Sequence, residues 1–432
     1  MNPKVFFAPL RLCGKIIFGA LVVLVVATAI PYGTVEPWWK AAFVCAVFAI
    51  CMVAIVERLI SGDDRIEGVP ILLPMLALSA LAFAQTWNAI SADPLQTRFF
   101  ALQLLALTAF LALLYCYAST ERRVRILVYT VLGIAVASAI FGILRQTTQH
   151  QTGFILPLLT PNQGFGQFIN KNHFAYLMEM AFGLGLGIII AGGVKRDRVM
   201  LYVALLLPIW TALVLANSRG GILAMLTEIL FAALLLLSIR ADVPRSIALR
   251  VALLVILIVG VLVSTLWVGG ERLASNFAAT NAEFDVQTRE GASRKEIWRA
   301  TLTMFAAHPF LGVGLGGYWI GITAYHNASG VLTPQEAHND YLELLSSGGL
   351  IGFAIGVWFA VMVIRAVRKN FSRHTDFIRA ARVGALLGIA GVAAHSLVDF
   401  GLHMIANAVV FLTLIMIVTT KIKIVDLNIK AP

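Results

Sequence analysis

Along this chain, apolar stretches of about 20 residues alternate with short polar segments, and that length is what a helix needs to cross the hydrocarbon core of a bilayer. Twelve stretches fit, near 13–31, 37–57, 69–88, 98–118, 126–144, 172–192, 200–217, 220–239, 250–268, 340–364, 383–402 and 404–420. The tight pairs around Arg219 and Gly401 are also compatible with re-entrant or bent segments. Two polar segments are long. One runs from Arg145 to Lys171 and holds the turn-rich Thr160-Pro161-Asn162-Gln163-Gly164. The other, 269–339, carries a helical pattern from Arg294 to Ala307 that His308-Pro309 stops, then glycines 312, 314, 316 and 317. No internal repeat is visible. The pattern predicts an all-α integral membrane protein, one polytopic domain over 1–432, with the 269–339 loop inserted between the ninth and tenth spans and containing short helices.

Composition supports this class. The 432 residues are 59% hydrophobic and 13% charged, about half the charged share of a soluble domain. Such a chain cannot cover a water-facing surface of its size, but it can cover a lipid-facing one. The net charge of +11 is a topology signal. Basic residues collect in alternate segments, as in Lys4, Arg11 and Lys15; Arg122, Arg123 and Arg125; Lys195, Arg196 and Arg198; and Arg365, Arg368 and Lys369. The positive-inside rule then places both termini in the cytoplasm and both long loops on the far side. Nucleic-acid binding is not predicted. The four cysteines, Cys13, Cys45, Cys51 and Cys116, lie in or beside apolar segments and offer no disulfide framework or zinc spacing. The first apolar run lacks an A-x-A-like cleavage site and reads as an uncleaved span.

Polar residues at the predicted outer ends of spans are the candidates for chemistry. Asn217-Ser218-Arg219-Gly220-Gly221 places a guanidinium at the membrane face beside two glycines. Arg presents a planar fork suited to phosphate, and the bland alternative is a snorkelling Arg at a tight turn. Arg294 and Trp298 share a face of the loop helix, which could equally be a solvated amphipathic segment. Glu336-Ala337-His338-Asn339-Asp340-Tyr341 puts His338 at the mouth of a span, where it can serve as a general base. Asn339 or Asp340 also suits a helix cap. Asn170-Lys171-Asn172-His173-Phe174-Ala175 stands at the mouth of the sixth span, with Lys171 at the level of lipid phosphates. His395 and Asp399 are four apart and predict a buried structural pair on one helix face. No Walker loop and no metal-ligand spacing occurs in the outer loops, so a metal-dependent mechanism is not predicted. An anionic ligand plus a general base is the simplest chemistry for Lys171, Arg219, Arg294 and His338.

These segments, in this order, resemble the bacterial O-antigen ligase/polymerase family. Ser218-Arg219-Gly220-Gly221 is similar to its S-R-G-G signature. Arg294-x3-Trp298, with His308-Pro309-Phe310-Leu311-Gly312-Val313-Gly314, resembles its R-x3-W and hP-x-x-G-x-G block. His338-Asn339-Asp340-Tyr341-Leu342, then Gly349-Leu350-Ile351-Gly352, resembles its H-N-x-x-L and G-x-x-G block. The segments at Asn170–Ala175 and His395–Phe400 match recurring family stretches, and the resemblance runs from about 160 to 420.

The resemblance implies a GT-C-type membrane glycosyltransferase of the bacterial inner membrane, working on the periplasmic face without cofactor or metal. Its donor would be an undecaprenyl-diphosphate-linked glycan and its acceptor the lipid A-core, in a bed of membrane lipids. His338 would be the catalytic base. Arg219, Arg294 and Lys171 would bind the donor diphosphate, with Arg289 the alternative to Arg294. Asn170, Asn172, Ser218, Asn339, His395 and Asp399 would support them. A repeat-unit or exopolysaccharide polymerase using the same donor is the alternative. A lipid-linked sugar transporter ranks third, because transporters tend to show repeated halves and broken helices at the midplane, whereas no repeat is visible here and the candidate charges are placed at the outer face.

Overall fold

The computed structural model of the chain describes residues 3–62, 68–148, 159, 164–238, 259, 293–327, 333–370 and 376–422. Among the described residues, eight α-helices lie before residue 239: α1 (Pro3–Ala29), α2 (Pro37–Ser61), α3 (Val69–Trp87), α4 (Pro94–Tyr117), α5 (Glu121–Thr148), α6 (Lys171–Ile190), α7 (Val199–Leu215) and α8 (Arg219–Ser238). The loop contributes α9 (Arg294–Ala307), and α10 (Asp340–Asn370), α11 (Asp376–His395) and α12 (Ile405–Thr419) follow. Among the described residues there is no strand beyond one isolated bridge, Phe165 to Phe168. Nine helices there, α1 to α7, α10 and α11, are long and apolar enough to cross a membrane. The predicted ninth span, 250–268, lies outside the described residues except for Val259.

Local sequence explains the boundaries. Asp93 accepts from Gln96 N at 3.0 Å and Pro94 opens α4. Asn170 caps α6 through Asn172 N. In α9, Ser293 and Glu296 form a reciprocal capping box, and the helix ends at His308, as the sequence predicts.

α6 is the centre of the bundle, buried from His173 to Ile188. Gly183 and Gly187 of α6 meet Gly388 and Gly384 of α11, and a Cβ at Gly187 would lie 2.1 Å from Gly384 Cα. Small residues four apart let two backbones touch, which is how helices gain contact where lipid offers no hydrophobic drive.

Three predicted spans differ in form from a plain crossing helix. The stretch 340–364 is not one continuous helix: α10 breaks at Gly349, which takes φ 63° and ψ −168°. The break frees backbone groups that must be satisfied away from water, and the loop after α9 supplies the partners. Leu350 N donates to Pro309 O at 2.8 Å, Val313 N to Ser346 O at 3.1 Å and Gly314 N to Ser347 O at 3.0 Å. Gln85 of α3 clamps the junction, donating to Leu311 O and Ser347 O and accepting from Leu315 N. The glycine blocks at 312–316 and 348–352 are thus two halves of one backbone joint.

The stretch 383–402 is displaced, because α11 begins at Asp376 and ends at His395. The reason is Arg382, which an apolar count leaves outside the span. Its fully buried guanidinium donates to the carbonyls of Ile417, Thr420 and Asn370 at the ends of α12 and α10. The stretch 404–420 is α12, only 15 residues and about 22 Å long, short of a bilayer core of about 30 Å. The pair around Arg219 consists of two regular helices, α7 and α8, joined by residues 216–218.

Candidate active site

One end of the bundle gathers the starts of α2, α4, α6, α8, α10 and α12. His338 stands there, immediately before α10, in the left-handed backbone region at φ 50°. Non-glycine residues rarely adopt this region, and it costs of order 1–3 kcal/mol. Its neighbours hold it in place. Asn339 caps α10 by accepting from Tyr341 N and Leu342 N, each at 3.0 Å, and donates to Leu397 O at 2.8 Å. On the other side Trp298 Nε1 donates to Ala337 O at 3.0 Å. That bond docks α9, with Arg294 one turn away on the same face, beside His338.

His338 Nδ1 is 3.6 Å from Asp399 Oδ1, longer than a hydrogen bond but within ion-pair range. Asp399 is 1% exposed against 35% for His338. It also accepts from Asn172 Nδ2 and from Phe400 N. Burial opposes its ionisation, but the adjacent His338, with His173 and His395 behind it, holds the carboxyl below the usual carboxylate range. A carboxylate facing one ring nitrogen orients the imidazole and leaves Nε2 for a substrate proton.

The structure overturns the expected His395–Asp399 pair. His395 is the last residue of α11, and its Nδ1 meets Glu179 Oε2 of α6 at 2.8 Å, with both side chains fully buried. Its ring stacks on Tyr176 at 4.0 Å. The opposite edge of the ring faces Gly220, where a Cβ would fall 2.2 Å from His395 Nε2. The Ser-Arg-Gly-Gly stretch therefore seats the start of α8 on the His395–Glu179 pair. Ser218 caps that start by accepting from Gly221 N at 3.1 Å, and Asn217 before it adopts φ 50°. Arg219 is exposed at the first position of α8, and Lys171 is exposed at the first position of α6. Arg289 lies outside the described residues.

A cavity of about 1050 Å³ opens at this end of the bundle. His338 lines it, whereas Lys171, Arg219 and Arg294 do not. Its apolar flank runs along α4 from Gln96 to Leu107, about 16 Å at 1.5 Å per residue. Its polar end holds a cluster that sequence reading missed. His403 Nδ1 lies 3.4 Å from Glu336 Oε2, and His403 Nε2 lies 3.5 Å from Asp340 Oδ1 and 3.6 Å from Glu343 Oε1. Burial opposes the charge on His403, but Glu343, Glu336 and Asp340 outweigh it and raise the imidazole from 6.5 to about 10. Burial would raise Glu336, yet the His403 charge holds it below its usual value. One donor atom from each of Glu336, Glu343 and His403 falls within 4.8 Å of the others, a spacing that could hold a cation. Phe400 stands among three histidines, with ring centroids 4.9 Å from His173, 5.0 Å from His338 and 5.7 Å from His403.

No curated protein matches this chain. Residues 201–357 match the family model described as O-Antigen ligase, a stretch that runs from α7 past the break in α10 and contains Arg219, Arg294 and His338. The matched stretch takes in the joined glycine blocks and the Ser-Arg-Gly-Gly seat of α8, and over those residues the chain is similar to the O-antigen ligase family, which supports an assignment to it.

Proposed function

We propose that this protein is an O-antigen ligase of the bacterial inner membrane, transferring a glycan from undecaprenyl diphosphate to a sugar hydroxyl of lipid A-core. The observation that carries the reading is His338, held in a strained conformation at the wall of a cavity with a polar head and an apolar flank, and faced by a buried carboxylate. A substrate with a sugar head and a hydrocarbon tail fits that division.

In this reading His338 Nε2 takes the proton of the acceptor hydroxyl as its oxygen bonds to the anomeric carbon. The bond from that carbon to the phosphate oxygen breaks, and undecaprenyl diphosphate leaves with the electron pair. Asp399 stabilises the imidazolium formed. Arg219, Arg294 and Lys171 offset the charge developing on the diphosphate, so the step needs no metal. One direct displacement inverts the anomeric centre. The cytoplasmic termini, the periplasmic active site and the GT-C type of architecture belong to the same reading, as does the single domain with its 269–339 insertion.

The test is a lipopolysaccharide gel from a strain lacking this gene, with lipid-linked glycans extracted in parallel. Core-only lipopolysaccharide with long polymer retained on undecaprenyl diphosphate is expected. Core bearing a single repeat unit, with no long chains, would make the protein a polymerase. Arg219→Ala and His338→Ala should each reproduce the deletion phenotype while the protein still inserts.

A further inference from the structure

We propose that the polar end of the cavity, formed by Glu336, Asp340, Glu343, His403 and His173, is the acceptor subsite, and that it takes a hydroxyl-rich neutral or amino sugar. The proposal rests on the transferase reading above.

The first argument is the hydrogen-bond inventory. Carboxylate oxygens accept hydrogen bonds. Those of Glu336, Asp340 and Glu343 surround one imidazole at 3.4 to 3.6 Å, so the cluster presents a set of acceptors to the cavity, which Lys40 also lines. Sugar hydroxyls, or the ammonium of an amino sugar, bring donors to match them. The donor diphosphate is assigned instead to Arg219 and Lys171, which do not line this cavity.

The second argument is independent of the cluster. His173 lines the same cavity and is 6% exposed, yet its Nε2 has no hydrogen-bond partner. A buried polar atom left unpaired is costly, and a ligand hydroxyl would satisfy it. The buried Asp340 Oδ2 is also without a hydrogen-bond partner.

A third observation concerns shape. Trp319 lines the cavity and is 42% exposed, while its Nε1 donates to Asp93 Oδ2 at 3.1 Å. A fixed aromatic face suits the apolar face of a pyranose. The Phe400 ring lies 5.0 Å from His338 and 5.7 Å from His403, and both histidines line the cavity, so a sugar seated on the cluster brings a neighbouring hydroxyl towards the proposed base.

The experiment measures binding without turnover. Purified wild-type protein in nanodiscs is titrated with lipid A-core free of O-antigen and, separately, with undecaprenyl diphosphate. Glu336→Gln, His173→Phe and Trp319→Ala are titrated alongside, each checked for a wild-type elution profile. Glu336→Gln is isosteric and guards against misfolding. Each variant should weaken lipid A-core binding at least tenfold and leave undecaprenyl diphosphate within twofold of wild type. Weakened undecaprenyl diphosphate binding, or unchanged binding of both, would overturn the assignment. So would loss of wild-type lipid A-core binding in a chelator, which would make the cluster a cation site. A wild-type protein that binds neither probe would instead remove the transferase reading itself.

Discussion

Gly220→Ala isolates the seat of Arg219 from every other feature of the site. The added methyl would sit 2.2 Å from both Nε2 and Cδ2 of His395. Carbon atoms rest comfortably at about 3.5 Å or more, so a displacement of about 1 Å must come from one side. His395 cannot supply it, because it is fully buried, bonded to Glu179 at 2.8 Å and stacked on Tyr176. The start of α8 moves instead and carries Arg219 with it. Overpacking of this kind costs about 1–3 kcal/mol, and a misplacement of about 1 Å costs of order 10²-fold in rate. The assay is the transfer rate of purified protein from undecaprenyl-diphosphate-linked glycan to lipid A-core, with a thermal unfolding midpoint measured in parallel. His395→Ala opens the space the methyl needs, at the cost of leaving Glu179 alone. The double variant should therefore recover rate relative to the sum of the single changes, with a coupling of about 0.5–3 kcal/mol. A Gly220→Ala protein with wild-type rate and midpoint, or a double variant with no coupling, would refute the seating argument.

Three further outcomes are expected. Asp399→Asn removes the charge facing His338 Nδ1 and should lower the transfer rate by about 10²-fold, with lipid A-core KM little changed; a shift confined to KM would assign Asp399 to acceptor binding instead. Trp298→Phe loses the bond to Ala337 O and should cost about 1 kcal/mol of stability together with a lower rate, and an unchanged rate would separate α9 from the site. The charge on His403 stabilises the fold fully below its ordinary value of 6.5, and this contribution is lost as pH rises towards about 10. The wild-type midpoint should therefore fall across that window more steeply than that of His403→Asn, and parallel curves for the two would disprove the link.

Much of this was legible locally. Helix positions followed from runs of apolar residues, because burial in lipid is decided residue by residue and needs no knowledge of partners. The extent of α9 was readable from its helical pattern and from His308-Pro309, since a proline stops a helix within a single turn. Asn339 was a cap candidate because caps also act within a single turn, whereas Asn170 and Ser218 were candidates through the resemblance and are caps only in the structure. What stayed hidden were pairings between distant segments. Glu179 and His395 are 216 positions apart, and Asn172 and Asp399 are 227 apart. Spacing on one helix suggested that His395 pairs with Asp399, but the close glycine contacts of α6 and α11 bring Glu179 within reach first. Likewise Glu336 and His403 flank different helices, and only the docking of α10 against α12 makes them one cluster in the cavity. The sequence by itself determined where most of the apolar helices lie and which polar residues stand near their ends. The tertiary structure alone decided which of those residues meet, because a hydrogen bond or ion pair requires approach to within about 3–4 Å, a distance set by the packing of whole helices.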